Sequence, residues 1–325
     1  MRGSCPGSTP RERRQRMTRL GVISNARSWR NRAGASPLAP AGDGVLYGAP
    51  ETLDDYPHAL RRFAEAGVDV VAVDGGDGTL RDVMSALPWA FGETLPAIAI
   101  VPSGKTNVAA ADVGGVPPER LAALAEAVGA GAELPAQTRR PIRVEAAGAQ
   151  MLGFVFGLGA FERATRLANE RVHSRGFAQK MGVALGVLMA GAAALGKDRD
   201  AWRNGVPLAL SIDGSNPETR YSFALLATSL HRLMLGLWPF WGTGEGAFDV
   251  TEVAAPPRRL IRTLATAGMG RPPSWAAEAG YQSHKADRLS LTIREPFIFD
   301  GDTFVAGPDG RVELTAGPEI RFVRL

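Results

Sequence analysis

Short apolar runs alternate with helix-like segments in the first part of the chain. Three runs, Leu20–Ser24, Val70–Val73 and Ala97–Val101, are rich in apolar residues and carry no charge. Runs of this kind are typical of strands buried on both faces of a parallel sheet. Two intervening segments, Glu51–Ala66 and Leu80–Leu87, have apolar residues at helical spacing. The alternation predicts an α/β N-terminal domain with a parallel sheet and crossover helices.

The pattern changes after Pro135, where short candidate strands separated by turns take over. Arg139–Glu145 and Met151–Phe156 predict a hairpin joined by an Ala-Ala-Gly-Ala turn. Helices are predicted at Phe161–Val172 and Pro256–Ala267. The remaining candidate strands are Val206–Asp213, Tyr221–Ser229, Phe248–Val253, Leu289–Ile293, Phe297–Asp300, Arg311–Thr315 and Ile320–Val323. This half is therefore predicted to be a β-rich, mostly antiparallel C-terminal domain.

These patterns divide the chain into a disordered tail at residues 1–17, an α/β domain at 18–135 and a β-rich domain at 136–325. Whether the C-terminal tail packs back on the first domain is left open. The N-terminal tail has no apolar core and does not fit a signal peptide; a start at Met17 is an alternative. Phe177–Leu195 is borderline for a spanning helix, which needs about 20 predominantly apolar residues. We favour a packed helix there.

Composition narrows the classes of protein that fit. The chain has 325 residues, a formal net charge of +4, and 45% hydrophobic and 22% charged residues, which is typical of a soluble globular protein. No basic stripe with interleaved aromatics is present, so nucleic acid is not expected as a partner. The single cysteine, Cys5, excludes an internal disulfide framework and fits a reducing cytoplasm.

A glycine turn with the sequence Gly-Gly-Asp-Gly-Thr, Gly75–Thr79, follows the second apolar run. Its glycines let the backbone approach a ligand closely, and the next helix directs its positive end at the same point. The turn predicts a phosphate site, which we favour over a tight turn without a ligand. A polar, basic loop after the first run, Asn25–Arg32, either holds nucleotide phosphates or is a solvated turn.

A second polar turn, Ser103–Asn107, follows the third run. Ligands of open α/β sheets bind outside the carboxyl ends of the strands, where both turns are expected. Lys105 is either a phosphate-binding residue or a solvated loop lysine. The Ser-Gly-Lys-Thr sequence is not a P-loop, because Ala99 stands where that motif requires its first glycine.

Two features of the C-terminal half add candidate chemistry. Asp300-Gly301-Asp302 follows an apolar strand and could place a carboxylate over a reacting hydroxyl, although alone it is more simply a hairpin turn. Leu233–Gly242 combines two Trp and one Phe with Pro and Gly. It is either an apolar wall that meets lipid or a membrane interface, or core packing at a domain junction.

Three segments occur in the order of known family motifs: Gly75–Thr79, Pro102–Gly114 and Asp300–Asp302. They resemble the motifs of the diacylglycerol kinase catalytic-domain family, which includes bacterial lipid kinases and sphingosine kinases. The first motif is shared with NAD kinases, and the later ones favour the lipid branch. The resemblance covers most of the chain from about Arg19 onward. It implies a nucleotide-binding α/β domain, a β-rich lipid-substrate domain and an active site in the cleft between them. ATP, helped by Mg²⁺, would pass its γ-phosphoryl group to a lipid hydroxyl.

The resemblance also implies roles for single residues. Asp300 would be the catalytic base, Asp77 a second catalytic residue in the metal network, and Glu245 a metal ligand. The lipid pocket would consist of Trp238, Phe240 and Trp241. The nucleotide-binding residues would be Asn25, Arg27, Ser28, Gly75, Gly76, Asp77, Gly78, Thr79, Gly104, Lys105 and Asn107.

The chain departs from the family's pattern at acids linked to the metal. Where relatives commonly have Gly-Thr-x-Asn-Asp, this chain has Lys105 for the threonine and Val108 for the aspartate. The acid expected near the domain junction falls in Arg139–Arg143, which contains no acid, and Asp302 replaces a glutamate. An NAD kinase and a non-catalytic nucleotide- or lipid-binding relative therefore remain alternatives.

The resemblance further implies where the protein works and with what. The expected partners are ATP and a lipid substrate at the membrane surface, and a homodimer is left open. The expected location is the cytoplasm, with a peripheral position at the inner membrane face left open.

Overall fold

A computed structural model describes residues 19–32, 44–175, 202–233, 237–260, 262–263 and 270–325. The predicted tail at residues 1–17 and the predicted packed helix Phe177–Leu195 lie outside the described residues, as does part of the predicted helix Pro256–Ala267. Within the described ranges, every helix is too short or too polar to cross a membrane.

The described residues form helices and two sheets. The helices are α1 (Trp29–Arg32), α2 (Asp55–Glu65), α3 (Asp77–Phe91), α4 (Val108–Val113), α5 (Leu121–Gly129) and α6 (Ala160–Arg175). The strands of the first sheet are β1 (Leu20–Ser24), β2 (Val45–Gly48), β3 (Val70–Gly75), β4 (Ala97–Pro102), β5 (Ala136–Arg139) and β17 (Ile320–Val323). The strands of the second sheet are β6 (Ile142–Ala146), β7 (Ala149–Gly153), β8 (Val155–Gly159), β9 (Val206–Ile212), β10 (Glu218–Thr228), β11 (Phe248–Ala254), β12 (Tyr281–Ala286), β13 (Arg288–Thr292), β14 (Phe297–Phe299), β15 (Asp302–Phe304) and β16 (Arg311–Ala316).

The first sheet has the strand order β2-β1-β3-β4-β17-β5. Neighbouring strands in this sheet run parallel to each other, except that β17 and β5 are antiparallel. All residues of β1 and β3 are buried, because helices cover both faces. On one face of the sheet, Phe63 of α2 and Leu80 of α3 lie in one buried cluster with Val71 of β3. On the other face, Leu124 of α5 lies in a second buried cluster with Ala72 of β3. Full burial of each large apolar side chain stabilises the fold by about 1.5–3 kcal/mol. The predicted parallel α/β domain is confirmed.

The second sheet is antiparallel and has the strand order β15-β14-β8-β10-β9-β13-β16-β6-β7. β11 pairs with β10, and β12 pairs with β11. Along one edge, β10 pairs with β9 up to Ser222 and with β8 from Ala224 onward. The register of β10 against β11 shifts between the same two residues. Such irregularities bend strands, so the sheet curls around its apolar side chains. The predicted β-rich, mostly antiparallel domain is confirmed.

The strands that the sequence does not predict lie at sheet edges. β2 and β5 are the outer strands of the first sheet, and β15 and β12 are outer strands of the second. An edge strand has one unpaired side and needs fewer apolar residues, so its pattern is weak. The predicted strand Met151–Phe156 is wrong in its extent: the chain bends at Phe154, and this bend separates β7 from β8.

The two sheets share a core where they meet. Leu152, Phe154 and Leu230 of the second sheet and its loops lie in the same buried cluster as Phe322 of β17. The rings of Phe154 and Phe322 are 5.8 Å apart. The backbone N–H of Leu152 also donates to Ser85 Oγ on α3 at 2.8 Å. This junction places the end of β14 beside the start of α3.

Candidate active site

A buried carboxylate joins three strand ends of the first sheet. Asp74, near the end of β3, has no exposed surface. Its Oδ2 accepts hydrogen bonds from Ser24 Oγ at 2.6 Å and Asn31 Nδ2 at 3.1 Å, and its Oδ1 accepts one from Ser103 Oγ. Ser24 ends β1 and Ser103 follows β4, so Asp74 holds the loops after these strands together. Sequence reasoning misses Asp74, although an acid closing an uncharged run was a usable signal.

The loop after β1 meets the glycine turn. Asn25 Nδ2 donates to Thr79 Oγ1 at 2.9 Å, and Asn25 Oδ1 accepts from the backbone N–H of the exposed Arg27 at 2.8 Å. Tyr56 of α2 meets the same Thr79 hydroxyl, and burial raises the pKa of Tyr56 to about 12. The Thr79 hydroxyl is therefore held from two sides by neutral side chains. The structure brings Asn25 and Thr79, both predicted to bind nucleotide, into contact.

Three buried polar atoms of this loop have no hydrogen-bond partner among the described residues: Ser28 Oγ, Arg30 Nη1 and Asn31 Oδ1. The loop itself is anchored, because the N–H of Arg30 donates to the carbonyl oxygen of Ser103 at 3.1 Å. Buried polar groups in folded proteins are almost always hydrogen-bonded. The unpaired atoms therefore mark a position suited to a polar ligand or ordered water.

The two predicted turns are in contact through their glycines. A Cβ added to Gly76 would lie 3.1 Å from the Cα of Gly104, and one added to Gly104 would come closer still to Gly76. A Cβ on Gly75 would lie 2.5 Å from the Cβ of Thr79. Backbones this close leave no space for a side chain, so the contact requires glycine.

α3 begins inside the first glycine turn, at Asp77 rather than at the predicted Leu80. Gly76 is its N-cap residue, and no side chain caps this end. The first N–H groups of the helix lack intrahelical acceptors and carry the positive end of the helix dipole. Such a helix start beside a glycine turn suits a phosphate group.

The carboxylate of Asp77 caps the neighbouring helix α4. Its Oδ2 accepts from Thr106 Oγ1 at 2.9 Å and from the N–H of Val108 at 3.1 Å, and its Oδ1 accepts from the N–H of Ala109 at 3.1 Å. Both oxygens are therefore engaged within the protein. The acid that sequence reasoning assigns to catalysis and the metal network fixes the second turn to the first.

Replacing Asp77 with alanine is expected to lower the free energy of unfolding by about 0.5–2 kcal/mol, the range for a lost helix cap. The N–H groups of Val108 and Ala109 would lose their acceptor. Asp77→Asn keeps one carbonyl oxygen and should cost less. Urea denaturation measures both variants, and a wild-type midpoint for Asp77→Ala would contradict the capping role.

The second turn is closed by Asn107, which has a left-handed backbone with φ of 51°. Its Oδ1 accepts from the N–H of Gly104 at 2.9 Å, and its Nδ2 donates to the carbonyl oxygen of Gly104 at 3.0 Å. Lys105 lies exposed at the tip of this closed turn. Gly104 and Asn107 thus shape the turn, and Lys105 presents its charge to solvent beside the glycine contact.

Asp300 lies where the two sheets meet. Its backbone is left-handed, with φ of 47°. Its Oδ1 accepts from the N–H of Phe154 at 3.0 Å and of Val155 at 2.9 Å, at the bend before β8. Gly153 leaves room for it, because a Cβ there would collide with Asp300 Oδ2. The carboxylate is held in one orientation by backbone donors.

The electrostatic surroundings of Asp300 favour its protonated form. Burial raises the pKa of Asp300 to about 7, and the negative charge of Asp77 adds to the rise. The backbone donors and the Arg81 guanidinium oppose it. Asp77 and Asp300, the two predicted catalytic residues, are therefore close enough for their charges to interact.

Arg81 of α3 reaches across the junction to the β14–β15 hairpin. Its Nη1 donates to Asp302 Oδ2 at 2.7 Å and to the carbonyl oxygen of Phe299 at 3.2 Å. Its Nε and Nη2 donate to Asp82 Oδ1 at 3.1 and 2.8 Å, and the Phe304 ring lies 5.0 Å from the guanidinium. Sequence reasoning misses Arg81, because an arginine on an amphipathic helix normally indicates a solvated face.

Glu245, the predicted metal ligand, is exposed in the loop before β11. β8 and β10 lie between β11 and β14, the strand that leads to Asp300. No group of three His, Cys, Asp or Glu side chains in the described ranges could hold a metal ion. The described residues therefore do not assemble the predicted metal site.

The predicted lipid-pocket residues lie over β11 and β12. The N–H of Trp241 donates to Ser283 Oγ on β12 at 3.0 Å. Phe240 is buried, and its ring contacts that of Trp238 with centroids 5.1 Å apart. Trp238 and Trp241 are half-buried. Phe240 thus packs in the interior, and the two indole rings are partly open to solvent.

Comparison with known proteins adds to this geometry. Residues 35–138 match the model of the diacylglycerol kinase catalytic domain. A candidate diacylglycerol kinase from Bacillus anthracis strain Sterne is 16% identical with a TM-score of 0.63, over 94% of this chain and 96% of that one. A second solved diacylglycerol kinase from the same strain is 14% identical with a TM-score of 0.59, over 94% and 96% of the two chains. At these identities the likeness concerns the fold. No curated protein matches the sequence.

The matched segment contains the glycine turn, the second turn and the helices that follow them. The solved structures extend the likeness in fold to nearly the whole chain. The resemblance to the diacylglycerol kinase catalytic-domain family is therefore confirmed: residues 35–138 are similar to that catalytic domain, and the chain has the two-sheet fold of the kinases compared with it.

Proposed function

We propose that this protein is an ATP-dependent lipid kinase, which transfers the γ-phosphoryl group to the hydroxyl of a diacylglycerol-like or sphingoid lipid. One observation carries the proposal: Asp300 lies at the junction of the two sheets, near enough to Asp77 of the first glycine turn for their charges to interact, and its pKa is raised to about 7. A nucleotide on the first sheet and a lipid hydroxyl on the second would meet there. The cleft between the sheets is the proposed active site.

Hydrogen-bond donors that lack acceptors support the proposed nucleotide site on the first sheet. The start of α3 is uncapped, and Ser28 Oγ and Arg30 Nη1 have no partner among the described residues. Lys105 adds an exposed positive charge at the neighbouring turn. Phosphoryl transfer depends on positioning and on neutralising charge on the phosphates, which this set can supply.

Asp300 is proposed as the base that takes the proton of the lipid hydroxyl. A base is most effective when its pKa lies near the working pH, and the value of about 7 satisfies this condition. Oδ1 accepts from the N–H groups of Phe154 and Val155, and Oδ2 shares the N–H of Phe154 at 3.1 Å. Oδ2 therefore has the greater remaining capacity to accept.

Mg²⁺ fits the described residues poorly. The oxygens of Asp77 accept hydrogen bonds from Thr106 and from the start of α4, and Val108 supplies no carboxylate. Glu245 belongs to no group of three acids among the described residues that could hold a metal ion. Mg²⁺ in kinases neutralises charge on the transferring phosphates. In this chain, Lys105 and the start of α3 are the groups proposed to supply positive charge there.

The lipid is proposed to enter from the second sheet. Trp238 and Trp241 offer partly exposed aromatic surface of the kind enriched at membrane interfaces. We also propose that the lipid comes from a membrane surface. Assembly into a homodimer is a separate proposal.

Transfer of labelled γ-phosphate from ATP to a panel of diacylglycerol, monoacylglycerol, ceramide and sphingosine in mixed micelles tests the function. The expected result is one phosphorylated lipid with ATP as donor. An assay with NAD as acceptor runs in parallel. Absence of product from every lipid, or product from NAD alone, would contradict the lipid kinase proposal.

The rate of phosphoryl transfer is expected to depend on the ionisation of Asp300. With a pKa near 7, kcat/KM should fall about tenfold per pH unit on the acid side and level off above neutrality. A pH–rate profile in constant ionic strength measures this limb. An acid limb centred near the ordinary aspartate pKa of about 3.9 would contradict the role of Asp300.

A non-catalytic nucleotide-binding relative is the second candidate, because no metal-ligating group of three side chains is present in the described part of the chain. Such a protein would bind ATP without forming product. Val108→Asp restores the acid of the family pattern, so product formation by this variant alone would select the second candidate.

A further inference from the structure

Arg81 connects the glycine-turn helix to both sides of the Asp300 turn. Its Nη1 contacts the carbonyl oxygen of Phe299 at 3.2 Å and Asp302 Oδ2 at 2.7 Å. Phe299 directly precedes Asp300 in the chain, and Asp302 begins β15. One guanidinium nitrogen therefore holds the turn at two points that flank Asp300.

The guanidinium is buried, and all three of its nitrogens donate hydrogen bonds. The side chain of Arg81 is 7% exposed, and Asp82 Oδ1 accepts from Nε and Nη2. The Phe304 ring covers it at 5.0 Å. A planar fork can serve a carboxylate and a carbonyl oxygen in fixed directions, whereas a lysine ammonium cannot reproduce both. The arrangement therefore depends on arginine rather than on positive charge alone.

The hairpin also touches the glycine turn itself. A Cβ added to Gly78 would lie 2.9 Å from Asp302 Oδ2. The carboxylate that pairs with Arg81 thus lies against the first turn of α3. The Asp302 carboxylate therefore joins the β14–β15 hairpin to the glycine turn.

We propose that Arg81 is a positioning residue, which holds the Asp300 turn against the glycine turn through Phe299 and Asp302. This inference rests on the proposed function, because its effect on turnover requires that Asp300 acts on the substrate. The charged groups that face Asp300 are Asp77 and Arg81, both on α3, and the remaining contacts come from backbone N–H groups before β8.

Three variants separate position, charge and folding. Arg81→Lys keeps the charge and loses the fork, and Arg81→Gln loses both. Arg81→Gln combined with Asp82→Asn avoids leaving a buried carboxylate without its cation, which guards against a variant that fails to fold. Arg220→Gln is the matched control, because Arg220 pairs with Glu252 at 3.2 Å elsewhere in the second sheet.

The expected result is a loss of kcat of about tenfold for Arg81→Lys and about a hundredfold for Arg81→Gln and the double variant, since small displacements of a reacting group cost this much. KM for ATP should stay within about threefold, because the nucleotide contacts are untouched. Arg220→Gln should keep the wild-type kcat. A wild-type kcat in the folded double variant, or an equal loss in Arg220→Gln, would overturn the proposal.

A readout without turnover separates this inference from the proposed function. Carbon NMR of labelled aspartate carboxyls follows Asp300, with Asp300→Asn identifying its resonance. Removing the Arg81 charge should raise the Asp300 pKa by about half a unit or more in Arg81→Gln. If no lipid is phosphorylated but the Asp300 titration shifts in both Arg81→Gln and the charge-keeping Arg81→Lys, the kinase function fails and the positioning role stands. An unchanged titration in an active enzyme overturns the positioning role alone.

Discussion

Replacing Asp300 with asparagine is expected to lower kcat for lipid phosphorylation by about 10²- to 10⁴-fold, the range for loss of a positioned general base. Asparagine has the same size, and it tolerates the left-handed backbone with φ of 47°. Its carbonyl oxygen can still accept from the N–H of Val155. The variant therefore removes the proton acceptor and leaves the turn in place. Labelled γ-phosphate transfer at saturating ATP and lipid measures the loss.

The same variant has a second expected effect, which distinguishes lost chemistry from lost folding. Folded Asp300 keeps its proton up to about pH 7, whereas an unfolded aspartate releases it near pH 3.9. Between these values the folded state binds more protons, so stability falls as pH rises. Asp300→Asn should remove this part of the pH dependence and be more stable than wild type above neutrality. Equal turnover in a folded Asp300→Asn protein would refute the assignment.

Replacing Gly104 with alanine is expected to destabilise the protein by about 1–3 kcal/mol, the usual cost of overpacking. The added Cβ would collide with the backbone of Gly76 and lie 2.8 Å from Asn107 Oδ1. A backbone cannot rotate away as a side chain can, so the two turns must separate. We therefore also expect ATP to bind at least about tenfold more weakly, because a misplaced turn would lose the phosphate contacts proposed for it. Urea denaturation and calorimetric titration with ATP measure the two effects.

Gly129→Ala is the matched control. Gly129 ends α5, and an added Cβ there would meet nothing within 4 Å. Alanine is favoured over glycine in helices by about 1 kcal/mol, so this variant should be neutral or slightly stabilised. Unaltered ATP binding and stability in Gly104→Ala would show that the two turns can separate freely.

The elements that the sequence predicts are those whose pattern is set by burial. β1, β3 and β4 have helices on both faces, so nearly every residue is apolar and the pattern is unambiguous. The two glycine turns were also predictable from the sequence. Their backbones are in such close contact at Gly76 and Gly104 that both positions require glycine, which is visible as a motif. Edge strands such as β12 have polar sequences and gave no usable pattern.

Single residues of the site were predictable from the sequence, but the contacts between them were not. Asp77 and Asp300 are recognisable from their motifs, but the capping of α4 by Asp77 depends on how two loops meet in space. The reach of Arg81 to Asp302 spans 221 positions of sequence, and no local pattern encodes such a contact. Glu245 was assigned because it stands at the position of a family motif, and it lies in the loop before β11, which pairs with the edge of β10 opposite to β8.

The placement of β17 has a consequence for how the protein folds. This strand is the last of the described strands in the sequence, yet it lies between β4 and β5 and carries the only described link between them. Until Ile320–Val323 has been synthesised, β4 has an open edge and Phe154 lacks its contact with the Phe322 ring. The first sheet therefore cannot be completed before β17 has been made, and such long-range pairing slows folding. A protein shortened by its last strand should expose β4 and aggregate rather than retain a working first half.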